Sequence, residues 1–345
     1  MIKYIHTIFV LLFISCNNYQ NLYNISSPDN KIKLEFSIKN GVPFYKIVKN
    51  NNLIIDYSKL GIVLDGNGNL DRNFKIINTN IKSHNSKWNT IFGEEKEIIN
   101  NYNELSVELD QNNKKLKITF RVFNDGVGFR YEIENQESIN NYNILDEKTE
   151  FKLSKKDTAW WIPAFSYRRY EFLYAKTAID DISKNTYSKM VEDIRYDSIG
   201  IDAAHTPLTI KKENGILISI HEANLNDYSS MTLAPRGKGL IEAELYPWSD
   251  GIKVKANEKI ISPWRTIQIS NNSSDLLNSN LILNLNEDPD SLEDFSWVKP
   301  GKYMGIWWEM IGTNESTWWP SKHHGNGRCA CGIDCDATFS HHHGR

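Results

Sequence analysis

The chain has 345 residues, 40% of them hydrophobic, and its 40 basic and 43 acidic residues leave a formal net charge of −3. That balance, with no basic block, excludes nucleic acid as an electrostatic partner, and the apolar fraction excludes a disordered chain. The length accommodates two domains or one large β domain with additions, and aromatics at 12% suit both sugar stacking and a large β core.

The N-terminus MIKYIHTIFVLLFISCNN carries Lys3, an apolar run from Ile8 to Ile14, and then Ser15-Cys16. The run is too short to span a membrane as a mature helix and reads as an export signal. Cys16 after a small residue is the expected acylation site of a bacterial lipoprotein, although Phe13 stands where Leu is commoner. A plain signal peptide is the alternative. Residues 1–20 are therefore read as signal and anchor, and the protein as exported to the periplasm or outer membrane. Any membrane attachment is expected only through that anchor or signal. No cysteine lies between Cys16 and Cys329, so the fold is expected to hold without disulfides.

From Ile32 the pattern has period two: Ile32, Leu34, Phe36 and Ile38 alternate with polar residues, as a half-buried strand requires. Leu116, Ile118, Phe120 and Val122 repeat it. Further strands are predicted at 128–133, 215–221, 240–246 and 266–269. Asn-rich clusters at 50–52, 65–69 and 110–113 punctuate them as turns. No helical stripe appears before about residue 180, where the segment 177–194 is expected to carry one or two helical turns or an irregular excursion. No internal repeat is evident. The pattern predicts a large antiparallel β-sandwich over residues 24–285. The acid- and Pro-containing stretch 286–300 reads as a linker. KYMGIWWEM beyond it reads as one buried strand opening a second domain.

Three stretches could carry chemistry. GILISIHEANLNDYSSM places Glu222 near a strand end; it is not a zinc-protease motif, because Leu225 stands where H-E-x-x-H needs its second His. Chemistry alone favours pairing of Glu222 with an Arg or Lys at a rim. In DTAWWIPAFSYRRYEFLY, Trp160 and Trp161 with Arg168 and Arg169 could form a sugar-facing or domain-facing surface, with at least one Trp packed inside. Glu309 in GIWWEM invites a glycosidase reading, yet glycoside hydrolysis needs two carboxyls, roughly 5–5.5 Å apart for retention or 6.5–9.5 Å for inversion.

Taken in order, SPDNKIKLEFSIKNGVPFYKI, LGIVL, WNTIFGE, YNELSVEL, FRVFNDGVGFRYEI, DTAWWIPA, AHTPLTI, HEANLNDYSSM, SPWRTIQI and KYMGIWWEM resemble the family 97 glycoside hydrolases. The family comprises exported, calcium-dependent α-glucosidases and α-galactosidases. The resemblance implies a galactose-mutarotase-like β-super-sandwich, a linker, and then a (β/α)8 barrel whose first strand is KYMGIWWEM, within residues 301–325. It places the catalytic carboxylates on later barrel strands, so no catalytic residue is expected in this chain. It also implies that Glu222 reaches a calcium ion beside the catalytic centre, and that Trp318 lies at the substrate rim. Because Ca²⁺ takes six to eight oxygen ligands, no tight calcium site is expected from this chain alone.

From Asn326 the composition changes: Lys vanishes, and Cys, His, Gly and Arg replace the Asn, Ile and Lys usage upstream. The segment 326–345 is read as an aberrant tail produced by a frameshift. Its rival is a zinc site built from Cys329, Cys331, Cys335 and the histidines 341–343. The expected function is that of the N-terminal part of an exported α-glycosidase acting on α-linked oligosaccharides and inactive alone. The alternatives are a non-catalytic carbohydrate-binding module and a zinc-binding protein.

Overall fold

A computed structural model describes residues 20–66, 68–90, 93–164, 172–190, 201–287, 294, 296–299 and 301. The chain divides into two compact units, Met1–Pro289 and Asp290–Arg345. Nearly all the described structure lies in the first, and it is β.

The alternating residues form strands as expected. Ile32–Lys39 buries Ile32, Leu34, Phe36 and Ile38 and leaves Lys33 exposed. It joins Val42–Lys49 through Asn40 and Gly41 at φ 53° and 77°, and Val42–Lys49 joins Asn52–Lys59 through Asn50 and Asn51 at 48° and 64°. Two consecutive left-handed residues match the right-handed twist of paired strands, and Asn and Gly tolerate that backbone best. Asn112 and Asn113 make the same turn between Glu97–Gln111 and Lys114–Phe123.

These hairpins build two large antiparallel sheets. The seven-stranded sheet runs from Gln20–Ser26 through the three strands above to Glu150–Lys152, Leu240–Leu245 and Met231–Gly237. The ten-stranded sheet has Leu217–Ala223, Trp264–Ser270 and Gly126–Ile133 as consecutive neighbours near its middle. A small sheet joins Ile62–Leu64, Gly68–Leu70 and Ile144–Glu147. The two large sheets face one another through aromatic side chains: Phe36 meets Phe120 at 5.7 Å between ring centroids, and Tyr45 meets Phe129 at 5.0 Å. Such tilted pairs fill the roughly 10 Å between packed sheets while avoiding face-to-face repulsion.

One feature departs from the sequence reading. Lys75–Asn89 and Glu97–Gln111 form a hairpin of 15-residue strands. Lys75–Asn89 is Asn-rich and exposed along most of its length, so it shows no apolar alternation; backbone pairing holds it in the sheet. As expected, the segment 177–194 holds short helical turns in its described part: the 3₁₀ turn Ile179–Asp181 and the helix Lys184–Met190, whose Tyr187 packs into the core. The expected barrel strand, the linker's middle and the 326–345 tail lie outside the described residues. No helix among the described residues is long and apolar enough to cross a membrane.

Candidate functional site

Leu217–Ala223 pairs antiparallel with Trp264–Ser270, and the register sets Glu222 opposite Arg265. Residues directly opposite share one face of the sheet. That face is the interior: Arg265 has no exposed side-chain surface and Glu222 keeps only 6%. A buried guanidinium must be paired, because its bare transfer from water is prohibitively unfavourable.

The pairing is complete. Arg265 Nε donates to Glu147 Oε1 at 2.8 Å and Nη2 to Glu147 Oε2 at 2.6 Å, a bidentate fork. Nη1 donates to Glu222 Oε2 at 2.6 Å. Glu147 also accepts from the Thr149 hydroxyl at 2.8 Å and the Tyr228 hydroxyl at 3.0 Å, and the guanidinium lies 5.5 Å from the centre of the Tyr228 ring. Tyr131 and Thr149 share a further hydroxyl contact at 2.7 Å. Both oxygens of Glu222 receive the Met231 N–H, each at 3.2 Å. The result is a buried acid–arginine–acid triad at the end of the Leu217–Ala223 strand.

The two acids differ electrostatically. Burial pushes the Glu147 carboxyl up, but the Arg265 charge and the hydrogen bonds from Arg265, Thr149 and Tyr228 outweigh it and hold the carboxyl below its ordinary value. At Glu222 burial dominates: Arg265 and the Met231 N–H pull the carboxyl down, nearby Glu147 pushes it up, and the net shift is upward. One arginine therefore neutralises Glu147 and only partly compensates Glu222.

Glu222 is thus paired with an arginine, as chemistry alone favoured, though inside the sheet and not at a rim. Calcium needs six to eight oxygens. Among the described residues no group of three or more His, Cys, Asp or Glu could hold a metal ion, and one oxygen of Glu222 already serves Arg265. The described residues do not by themselves fit a calcium site. Glu222 could supply only one carboxylate to it.

Trp161 is buried, donates its ring N–H to Thr177 Oγ1 at 3.0 Å and packs 5.6 Å from Tyr187. Trp160 is half-buried, with Lys176 Nζ 5.1 Å from its ring centre. The first is a packing residue, as expected of at least one of the pair. Leu225, at the position a second zinc-protease histidine would take, is exposed. Cys16, Arg168, Arg169, Glu309, Trp318 and the cysteines and histidines of the tail lie outside the described residues. Glu147, Tyr228 and Arg265 are the members of the site that the sequence reading missed. Arg265 had a usable signal: a lone arginine within the apolar run SPWRTIQI implies a buried counter-charge.

Fold and site together define a large antiparallel β-sandwich domain with a buried charged triad inside it. The family model described as the glycosyl-hydrolase 97 N-terminal domain matches residues 25–288, and the chain belongs to glycoside hydrolase family 97 through that domain. A retaining α-galactosidase of Bacteroides thetaiotaomicron is 24% identical over 327 residues, covering 87% of this chain and 46% of the relative. A family 97 enzyme from Pseudoalteromonas sp. strain K8, solved in complexes with panose and with acarbose, superposes with a TM-score of 0.74 at 40% identity. That match covers 84% of this chain and 41% of the enzyme. A β-arabinopyranosidase crystal structure shares the fold at 20% identity and a TM-score of 0.62, over 72% of this chain and 40% of its own. The chain spans less than half the length of these relatives.

Proposed function

We propose that this chain is the N-terminal sandwich of an exported α-glycosidase acting on α-linked oligosaccharides, and that it does not hydrolyse them by itself. The family match over residues 25–288 carries the reading. The α-galactosidase relative and the enzyme solved with panose and acarbose support the substrate class. The triad supports the non-catalytic role. Hydrolysis needs one carboxyl to give a proton and a second to act as base or nucleophile, whereas Glu147 and Glu222 are both held on Arg265. In this reading Glu222 contributes one carboxylate to a calcium site completed by oxygens of another domain, where the ion would supply positive charge. Cys16 is the lipid attachment point that keeps the protein at the periplasmic or outer-membrane surface.

The purified chain is expected to show no turnover of p-nitrophenyl α-glucoside or α-galactoside, and calorimetry is expected to show calcium affinity weaker than micromolar. Turnover by the chain would overturn the non-catalytic role. Tight calcium binding would overturn the shared site.

A further inference from the structure

An open cleft of about 760 Å³ lies beside the triad. Two connections build it: the loop between Ala223 and Met231, and the longer one between Leu245 and Ile260. Tyr228, whose hydroxyl holds Glu147, is part of its wall. Its size falls within the few hundred to about a thousand Å³ usual for small-molecule sites.

The aromatic group most open to solvent in this cleft is Trp248, 60% exposed. It is presented on a closed turn, its N–H donating to Ile252 O at 2.8 Å while its own carbonyl accepts from Gly251 N at 2.9 Å. Lys255 lies 5.2 Å from the ring centre and is itself tied to Asp250 at 2.6 Å. The shorter loop is bent by Asn224 and Asp227 at φ 55° and 46°, and Asn226 is held by Asn224 through two contacts, at 2.9 and 3.0 Å. An exposed indole on a closed turn, lining one cleft with the held Asn226 amide and the Asp227 carboxylate, is a recognition surface for a ligand with apolar C–H faces and hydroxyl edges.

Charge decides the ligand class. The cleft holds Lys253, Lys255, Lys259 and Asp227, a set that looks suited to an anion. Lys253 is neutralised by Glu244 at 2.8 Å and Lys255 by Asp250. Lys259 and Asp227 then balance, so a neutral polyol fits and a phosphate does not. We propose that this cleft is a binding site for a neutral oligosaccharide, with Trp248 as the stacking platform and Asn226 and Asp227 as hydroxyl partners. The choice of an α-linked sugar rests on the α-glycosidase reading above; the platform does not.

Calorimetric titration of the full chain with maltotriose tests this. Saturable binding is expected, weakened about tenfold in W248A and largely kept in W248F, which retains a ring. Unfolding curves of both variants should match the parent, since the side chain is exposed. No saturable binding, or undiminished binding in W248A, would overturn the site. Displacement of maltotriose by inorganic phosphate would overturn the neutral-ligand assignment. The turnover assay reads the domain's role independently, and a parallel titration with β-linked cellotriose separates the two ideas: binding of cellotriose but not maltotriose would count against the α-linked choice, and binding of neither against the cleft.

Discussion

Arg265 divides its guanidinium between two carboxylates, and with no exposed surface it has no recourse to water if either is lost. Removing one partner of such a buried group leaves an uncompensated charge, at a cost of about 3–5 kcal/mol. Arg265→Met is expected to destabilise the domain by about that amount, measured by urea unfolding. Replacing all of Arg265, Glu147 and Glu222 with apolar residues should recover much of the loss, because no buried charge then remains. An Arg265→Met protein as stable as the parent would show that the triad is not held together as described. Tyr228→Phe, which removes one hydrogen bond to a carboxylate, should cost less, about 1.5–3 kcal/mol.

At the scale of elements, the strand Gly126–Ile133 carries glycines where neighbours approach closely. A Cβ at Gly126 would stand 2.3 Å from the backbone oxygen of Ile267, on the paired strand. At Gly128 it would meet Leu285 Cδ1 at 2.5 Å, the tip of a side chain on the helix Leu281–Leu285. A backbone carbonyl in the sheet cannot move aside, whereas a leucine tip can change rotamer. Gly126→Ala is therefore expected to lose about 1–3 kcal/mol, and Gly128→Ala distinctly less, in the same unfolding assay. Equal losses would show that the helix, not the strand spacing, limits this position. The element scale also shows where local pattern fails. Ile32–Lys39 was legible because one face is buried, while Lys75–Asn89 was not, because its polar side chains leave backbone pairing as its main tie to the sheet.

For the whole molecule, the main core among the described residues runs from Ile25 to Ile269, all within the first unit. A domain that contains its own core should fold alone. A chain trimmed to residues 20–289 is expected to melt within about 2 °C of the full chain, a change of less than 1 kcal/mol for a domain of this size. A larger drop would mean that residues outside 20–289 stabilise the sandwich. The charged triad and the Trp248 cleft both lie within that trimmed chain.

Period-two alternation and Asn-rich turns determined the all-β character, six of the strands and the sandwich class from the sequence alone. Those signals are local: a side chain's face and a turn's left-handed φ are set by residues a few positions apart. The sequence also singled out Glu222 at its strand end. Its partners were decided only by the tertiary structure. Glu147 lies 118 residues from Arg265, and Arg265 lies 43 residues from Glu222. Only the order and register of the strands bring these charges together. The desolvation that makes their pairing obligatory likewise exists only once both sheets have closed over them.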